Sequence, residues 1–105
     1  MEHEDKFISI KKGLLELAVL KIISRDKVYA ADILDKLSKT ELATKDGTLY
    51  PLLSRLKREG ALEYEWAESE AGPPRKYYSL TDAGKRQLEA LMKYWQDLDT
   101  TINNF

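Results

Sequence analysis

The hydrophobic period of this chain changes at Gly60, and this change limits the possible folds more than any other feature. Before it, four leucines separated by three or four residues follow one helix face: Leu49, Leu52, Leu53 and Leu56. After it, Leu62, Tyr64 and Trp66 alternate with glutamates, the period-two pattern of a half-buried strand. The sequence therefore predicts a helix that ends at a glycine and is followed directly by a strand.

Three further helices are predicted around this unit. Apolar positions beginning with Phe7, Ile10, Leu14 and Leu17 predict a first helix over residues 7–23, and a second is predicted over residues 30–39. The leucine helix described above is third in chain order. It begins between residues 44 and 48, where the candidate N-caps are Thr44, Asp46 and Thr48. Thr81 caps a last helix. We expect a mainly α fold with a small β-hairpin (α+β).

The second strand of the hairpin is predicted over residues 76–80, with turn-forming residues 68–74 between the two strands. Tyr78 and Leu80 should point to one side of this strand. Arg75 and Lys76 make the turn basic. A helix followed by a basic-tipped hairpin is typical of a winged helix-turn-helix, so double-stranded DNA is the leading candidate partner.

Composition indicates one ordinary soluble domain of 105 residues with no cysteine. The longest apolar run, residues 14–23, is interrupted by Glu16 and Lys21, and acidic residues stand where a secretory signal would carry positive charge. We therefore expect no membrane partner and a cytoplasmic protein. The net charge of −1 and pI near 5.9 argue against a strongly basic nucleic-acid binder, although counterion release depends on the bound face and not on the total.

Six polar residues form the predicted DNA-binding set: Lys45, Thr48, Tyr50, Arg55, Arg75 and Lys76. Thr48 and Tyr50 suit phosphates or base edges, and Arg55 suits a phosphate or a guanine. The cations Lys45, Arg75 and Lys76 would position the backbone without reading sequence. The alternative is that Tyr50 packs on the domain while the charged side chains are merely solvated.

A heptad pattern runs along the last helix at steps of three and four: Leu88, Leu91, Trp95, Leu98, Ile102 and Phe105. Such a stripe would leave an apolar patch in water on a lone chain, so a second copy is the predicted partner. Phe7, Ile10 and Leu14 are candidates to join this seam. Trp95, with Tyr94 beside it, is either a platform for a flat ligand or an ordinary part of the dimer core.

No enzyme class gains support from the sequence. His3 is the only histidine, so neither a zinc site nor a histidine-based dyad can be assembled, and no glycine-rich phosphate loop is present. We expect no cofactor, no metal and no catalytic residue.

Two stretches resemble the PadR family of bacterial transcriptional regulators. The first runs from Gly47 through Gly60 and the second from Arg75 to Gly84, including Leu80 and Thr81. The resemblance implies a homodimeric repressor of the compact branch, with a winged helix-turn-helix over residues 1–80 (wing about 61–80) and a dimerisation helix over residues 81–105. It also implies a flat aromatic or cationic effector, in some members, stacked against a tryptophan that Trp95 matches.

Two other functions stay open at this stage. A winged-helix module that binds protein instead of DNA would suit the acidic pI. A small-molecule-binding dimer without regulatory DNA contact would use Trp95 and not the basic residues. Strong salt dependence would favour DNA over a protein partner. Loss of ligand binding in Trp95→Ala, with no cellular effect of substitutions at Arg55 and Lys76, would favour the small-molecule-binding dimer.

Overall fold

The computed structural model describes the backbone of residues 2–105 and the side chains of residues 6–105. Its elements, in chain order, are α1 (Glu2–Arg25), α2 (Ala30–Ser38), α3 (Asp46–Arg58), β1 (Leu62–Ser69), β2 (Gly72–Leu80) and α4 (Asp82–Asn103). The predicted fold class is confirmed, because four helices accompany one antiparallel hairpin.

One face of α1 forms the centre of the core, where Leu15, Val19, Leu20 and Ile23 are buried. Apolar residues of every other element surround it: Ile33, Leu37, Leu49, Leu53, Leu56, Leu62, Tyr78, Leu80 and Leu88. The apolar stripe predicted over residues 7–23 is buried only in part: Val19 and Ile23 lie in the core, and Leu17 packs against it. Phe7 and Ile10 are exposed, whereas Leu14 and Leu17 are half-buried.

Helix α1 carries two overlapping stripes at helical spacing. The stripe that contains Leu15 and Val19 faces the domain, and the adjacent stripe lies at its margin. The helix begins at Glu2, before the predicted residue 7, and Phe7 and Ile8 in its early turns are exposed. Periodicity alone cannot choose between two such faces.

Helix α3 begins at Asp46 after Lys45, which is the N-cap although its side chain accepts no capping hydrogen bond. None of the three candidate caps is the N-cap residue. The backbone carbonyl of Lys45 accepts the first helical hydrogen bonds, from the amides of Thr48 and Leu49 at 3.0 Å each. The predicted end is confirmed: Gly60 takes a left-handed φ of 83°, and the Ala61 amide donates back to the Leu56 carbonyl at 2.9 Å.

The hairpin is longer than the sequence predicted. Strands β1 and β2 pair from Leu62 opposite Leu80 to Ser69 opposite Gly72, so only residues 70–71 form the turn. Proline is tolerated in β2 at residues 73 and 74 because the register shifts between Ala67 and Ser69, and neither proline has a partner there. Val28 pairs with Tyr78 from the other side, at 2.8 and 3.2 Å, and joins the hairpin to the α1–α2 connection.

Helix α4 begins where Thr81 caps it, as predicted: the Thr81 hydroxyl accepts from the Gly84 amide at 3.0 Å and donates to the Gly60 carbonyl at 2.5 Å. Its first half packs on the domain through Leu88, which is 9% exposed, and through Leu91. From Lys93 onward every residue is exposed. The predicted boundary between residues 80 and 81 stays a prediction, since the first turns of α4 pack against residues before it.

Candidate nucleic-acid interface

A cleft of about 370 Å³ lies between α3, the start of α2 and the hairpin. Its lining is aromatic and cationic: Tyr29, Ala30, Ala31, Tyr50, Ser54, Trp66, Pro74, Arg75, Lys76 and Tyr78. Three residues of the predicted DNA-binding set, Tyr50, Arg75 and Lys76, therefore meet at one surface. The helix supplies the first and the wing supplies the other two.

Aromatic rings hold the two wing cations. Lys76 stands opposite Trp66 in the strand register, and its Nζ lies 4.6 Å from the centroid of Tyr64 and 5.5 Å from that of Trp66. Arg75 lies on the other face of β2, with Cζ 5.3 Å from the centroid of Tyr29. Each cation–π contact fixes a side chain without cancelling its charge. Among the side chains of residues 6–105, neither cation is paired with a carboxylate.

Tyr50 is 49% exposed, so it is not packed into the domain as the alternative reading supposed. It lies about 140° around the helix axis from Arg55, given 3.6 residues per turn. Thr48 and Arg55 instead line a shallow surface against α1, beside Lys12 and Leu52. The polar side of α3 is thus divided between the cleft and the α1 border.

Arg55 differs from the rest of the predicted set because two carboxylates hold its guanidinium. Nη1 donates to both carboxylate oxygens of Glu59, at 3.0 and 3.1 Å, and Nη2 donates to Glu16 of α1. The hydrogen bonds to Glu16 and then to Glu59 raise the pKa of Arg55 above its usual value. Sequence reasoning did not anticipate these pairs. Their effect is to compensate the positive charge that a phosphate contact would require.

Lys45 is exposed at the start of α3 and lines neither the cleft nor the surface against α1. Its backbone carbonyl accepts the first hydrogen bonds of α3, and its side chain lies at the N-terminal end of the helix. In helix-turn-helix proteins, this is the end of the recognition helix that enters the DNA groove. Lys57 and Arg58, near the end of α3, are exposed, and Lys57 Nζ lies 5.7 Å from the Tyr64 centroid.

Trp66, Tyr29 and Ser54 line the cleft but were absent from the predicted set. Trp66 was assigned to the half-buried face of β1, yet it is 62% exposed because the hairpin extends beyond the domain. One sequence signal could have indicated the exposure of Trp66. The alternating face of β1 continues past the residues that are needed to cover the core. No local pattern marks Tyr29, which faces the wing only through the tertiary fold, with its ring centroid 4.6 Å from that of Tyr77.

The predicted dimer seam divides along α4. Leu88 packs inside its own chain and Leu91 is half-buried, whereas Trp95 and Leu98 are 42% and 38% exposed. Ile102, Phe105 and the adjacent Tyr94 are exposed as well, and the exposed Phe7 and Ile10 give α1 a similar apolar surface. The part of the seam that is free for a second chain thus begins near Leu91. Trp95 stands on this open face.

Other classes of site find no support in the described part of the chain. None of the helices within residues 2–105 combines the length and the apolar character needed to cross a bilayer. The side chains of residues 6–105 include no group of three histidine, cysteine, aspartate or glutamate residues arranged to hold a metal ion. The side chain of His3 lies outside the described residues.

Comparison with known proteins gives consistent matches over nearly the whole chain. Residues 19–90 match the model of the transcriptional regulator PadR-like family. A PadR-like transcription factor from Bacteroides fragilis is 45% identical, with a TM-score of 0.81, over 91% of this chain and 93% of that one. A PadR-like transcriptional regulator from Bacillus cereus is 40% identical, with a TM-score of 0.82, over 91% and 94%. An uncharacterised protein from Lysinibacillus sphaericus is 29% identical over 91% of each chain.

Proposed function

This chain belongs to the PadR-like family of transcriptional regulators, and from that premise we propose that it is a homodimeric repressor of an inverted-repeat operator. The observation that carries the proposal is the cleft between α3 and the wing, which Tyr50 lines together with two cations that have no carboxylate partner among the side chains of residues 6–105. A surface of this kind suits a sugar–phosphate strand, which presents one negative charge per nucleotide.

In the proposed complex α3 enters the major groove and the wing contacts the adjacent backbone. Thr48 and Tyr50 are the candidates for phosphates and base edges, and Lys45, Arg75 and Lys76 hold the backbone. The DNA contact predicted for Arg55 stays a prediction, and its two carboxylate partners favour another role. Trp66 offers an apolar plane beside Lys76 for a deoxyribose.

Two copies would associate through the outer half of α4. Its exposed apolar residues Trp95, Leu98 and Ile102 continue the heptad spacing after the helix leaves the domain. Two-fold symmetry would then place two α3 helices about one helical turn of DNA apart, roughly 34 Å. An inverted repeat is the operator that such symmetry matches.

An effector is proposed at the same interface, as a flat aromatic or cationic molecule stacked on Trp95 with Tyr94 nearby. Both rings are exposed on a single chain. A ligand there relieves repression only if it binds the DNA-free arrangement of the two subunits more tightly than the DNA-bound one. We place the protein in the cytoplasm, where its DNA would be.

Binding of a labelled duplex at a series of salt concentrations tests the proposal. DNA binding should weaken steeply with salt, by about 0.9 log units in affinity per log unit of salt for each phosphate neutralised. A winged-helix module for protein partners, which the net charge of −1 favours, would show no such dependence. No binding to any duplex at low salt would reject the DNA-binding proposal.

A further inference from the structure

The carboxylate of Glu16 joins three helices at one point. Glu16 lies on α1, and its side chain is 19% exposed. One oxygen accepts from Arg55 of α3, and the other accepts from Gln87 Nε2 of α4 at 2.9 Å. The partners are 39 and 71 residues away along the chain. A single charged group thus links the proposed DNA-reading helix to the helix that carries the proposed dimer seam.

Arg55 completes this junction at the end of α3. Its Nη1 donates to both oxygens of Glu59, the C-cap residue directly before Gly60. Because Nη1 and Nη2 donate to two different carboxylates, the plane of the guanidinium is restricted more than a single hydrogen bond would restrict it. Arg55 therefore fixes the last turns of α3 against α1, close to the residue where the chain turns into the wing.

We propose that Arg55 and Glu16 are positioning residues that set the angle of α3, and that Gln87 transmits the tilt of α4 to them. This inference rests on the proposed function, since it assigns a role within DNA binding. A change in α4 at the dimer seam alters the Gln87–Glu16 bond, and Glu16 then shifts the guanidinium that holds α3. Arg55 acts on affinity through helix orientation and not through a phosphate.

The two roles of Arg55 predict different salt dependence. A phosphate contact contributes about 0.9 to the slope of log affinity against log salt, whereas a compensated arginine contributes almost none. We expect Arg55→Gln to weaken binding about three- to tenfold with the slope unchanged. Arg75→Gln is the matched control, because it removes the same charge from the wing and should lower the slope by about one unit. A slope loss in Arg55→Gln equal to that of the control would overturn the proposal.

A double-mutant cycle tests the link to α4. Arg55 and Gln87 share Glu16 as their partner, so their effects on affinity should be coupled through it. We expect Gln87→Leu combined with Arg55→Gln to weaken binding less than the product of the two single effects. Glu16→Gln, which keeps the shape and removes the charge, should match Arg55→Gln. Additive effects of Gln87 and Arg55 would reject transmission from α4.

Failure of the proposed function is distinguishable from failure of this inference. If the wild-type protein binds no duplex at low salt, the DNA-binding proposal falls and the positioning role falls with it. If the wild type binds and only the cycle is additive, DNA binding stands and the junction is rejected. Sedimentation and circular dichroism of each variant show that the comparison is made between folded dimers.

Discussion

A Cβ atom placed on Gly84 would stand 2.0 Å from the carbonyl oxygen of Ala61 and 3.0 Å from its carbonyl carbon. Only glycine lets the first turn of α4 approach the backbone this closely. The same carbonyl accepts from the Thr81 amide at 3.1 Å, and the Thr81 hydroxyl donates to Gly60. The start of α4 is thus hydrogen-bonded to Gly60 and Ala61, which lie between α3 and β1.

We expect Gly84→Ala to destabilise the protein by about 1–3 kcal/mol or more, because backbone atoms and not a flexible side chain must move. Urea unfolding at fixed protein concentration measures the loss. Gly47→Ala is the matched control, since a Cβ there meets nothing within 4 Å and alanine favours the helix. Equal stability of Gly84→Ala and the wild type would contradict the close approach.

Replacing Arg75 and Lys76 together with alanine should weaken binding to all duplexes alike and lower the salt slope by about two units, because both side chains would contact backbone phosphates. Fluorescence anisotropy at several salt concentrations measures this. The control is Lys85→Ala with Arg86→Ala, which removes the same charge from exposed positions of α4. Unchanged binding would show that the wing does not contact the DNA.

Replacing Leu98 with lysine should give monomers, because a charge placed in the proposed seam must be desolvated when two α4 helices meet. Leu98 lies in the part of α4 that extends beyond the domain, so the fold of each chain should survive. Sedimentation velocity measures the mass. Gln96→Lys adds the same charge on an exposed position outside the heptad pattern and should remain a dimer. A dimer that persists in Leu98→Lys would refute this interface.

Alkaline pH should destabilise the protein in part through Tyr78. Burial raises the pKa of this hydroxyl above its usual value of about 10, and the nearby Tyr50 and Tyr64 add smaller effects in the same direction. The folded chain therefore holds the proton more tightly than the unfolded chain. This contribution is fully present below about pH 10 and is lost as the pH rises through the higher folded pKa.

Tyr78→Phe removes that titration, so its unfolding free energy should fall less than the wild-type value between about pH 9 and about pH 11. Urea unfolding at the two pH values measures the difference, with protein concentration held constant because dimerisation also affects stability. An equal decline in both proteins would show that Tyr78 does not contribute.

The ends of the elements were predictable wherever one residue decides them. Gly60 ends α3 through a left-handed conformation, and Thr81 caps α4 with its own hydroxyl. The start of α3 was not predictable, because three nearby side chains are equally suitable caps and the backbone of Lys45 is used instead. The buried face of α1 was predicted only in part, since two neighbouring stripes satisfy the same period.

Part of the candidate site could be predicted because its residue types suit DNA. Tyr50, Arg75 and Lys76 do meet at one cleft. The pairing of Arg55 with Glu16 could not be predicted, because contacts across 39 residues leave no periodic signal in a single sequence. The exposure of Trp66 depends on how far the hairpin extends beyond the core, which strand alternation does not report.

The paired backbone bonds between Val28 and Tyr78 have a consequence for how operators are selected. This bridge fixes the outer edge of β2, near the base of the hairpin, to the segment that leads into α2. In the proposed dimer, the base of each wing would therefore keep a fixed position relative to α2 of its own subunit. Tolerance for altered spacing between half-sites would then come from a change in the angle between the two subunits or from bending of the duplex.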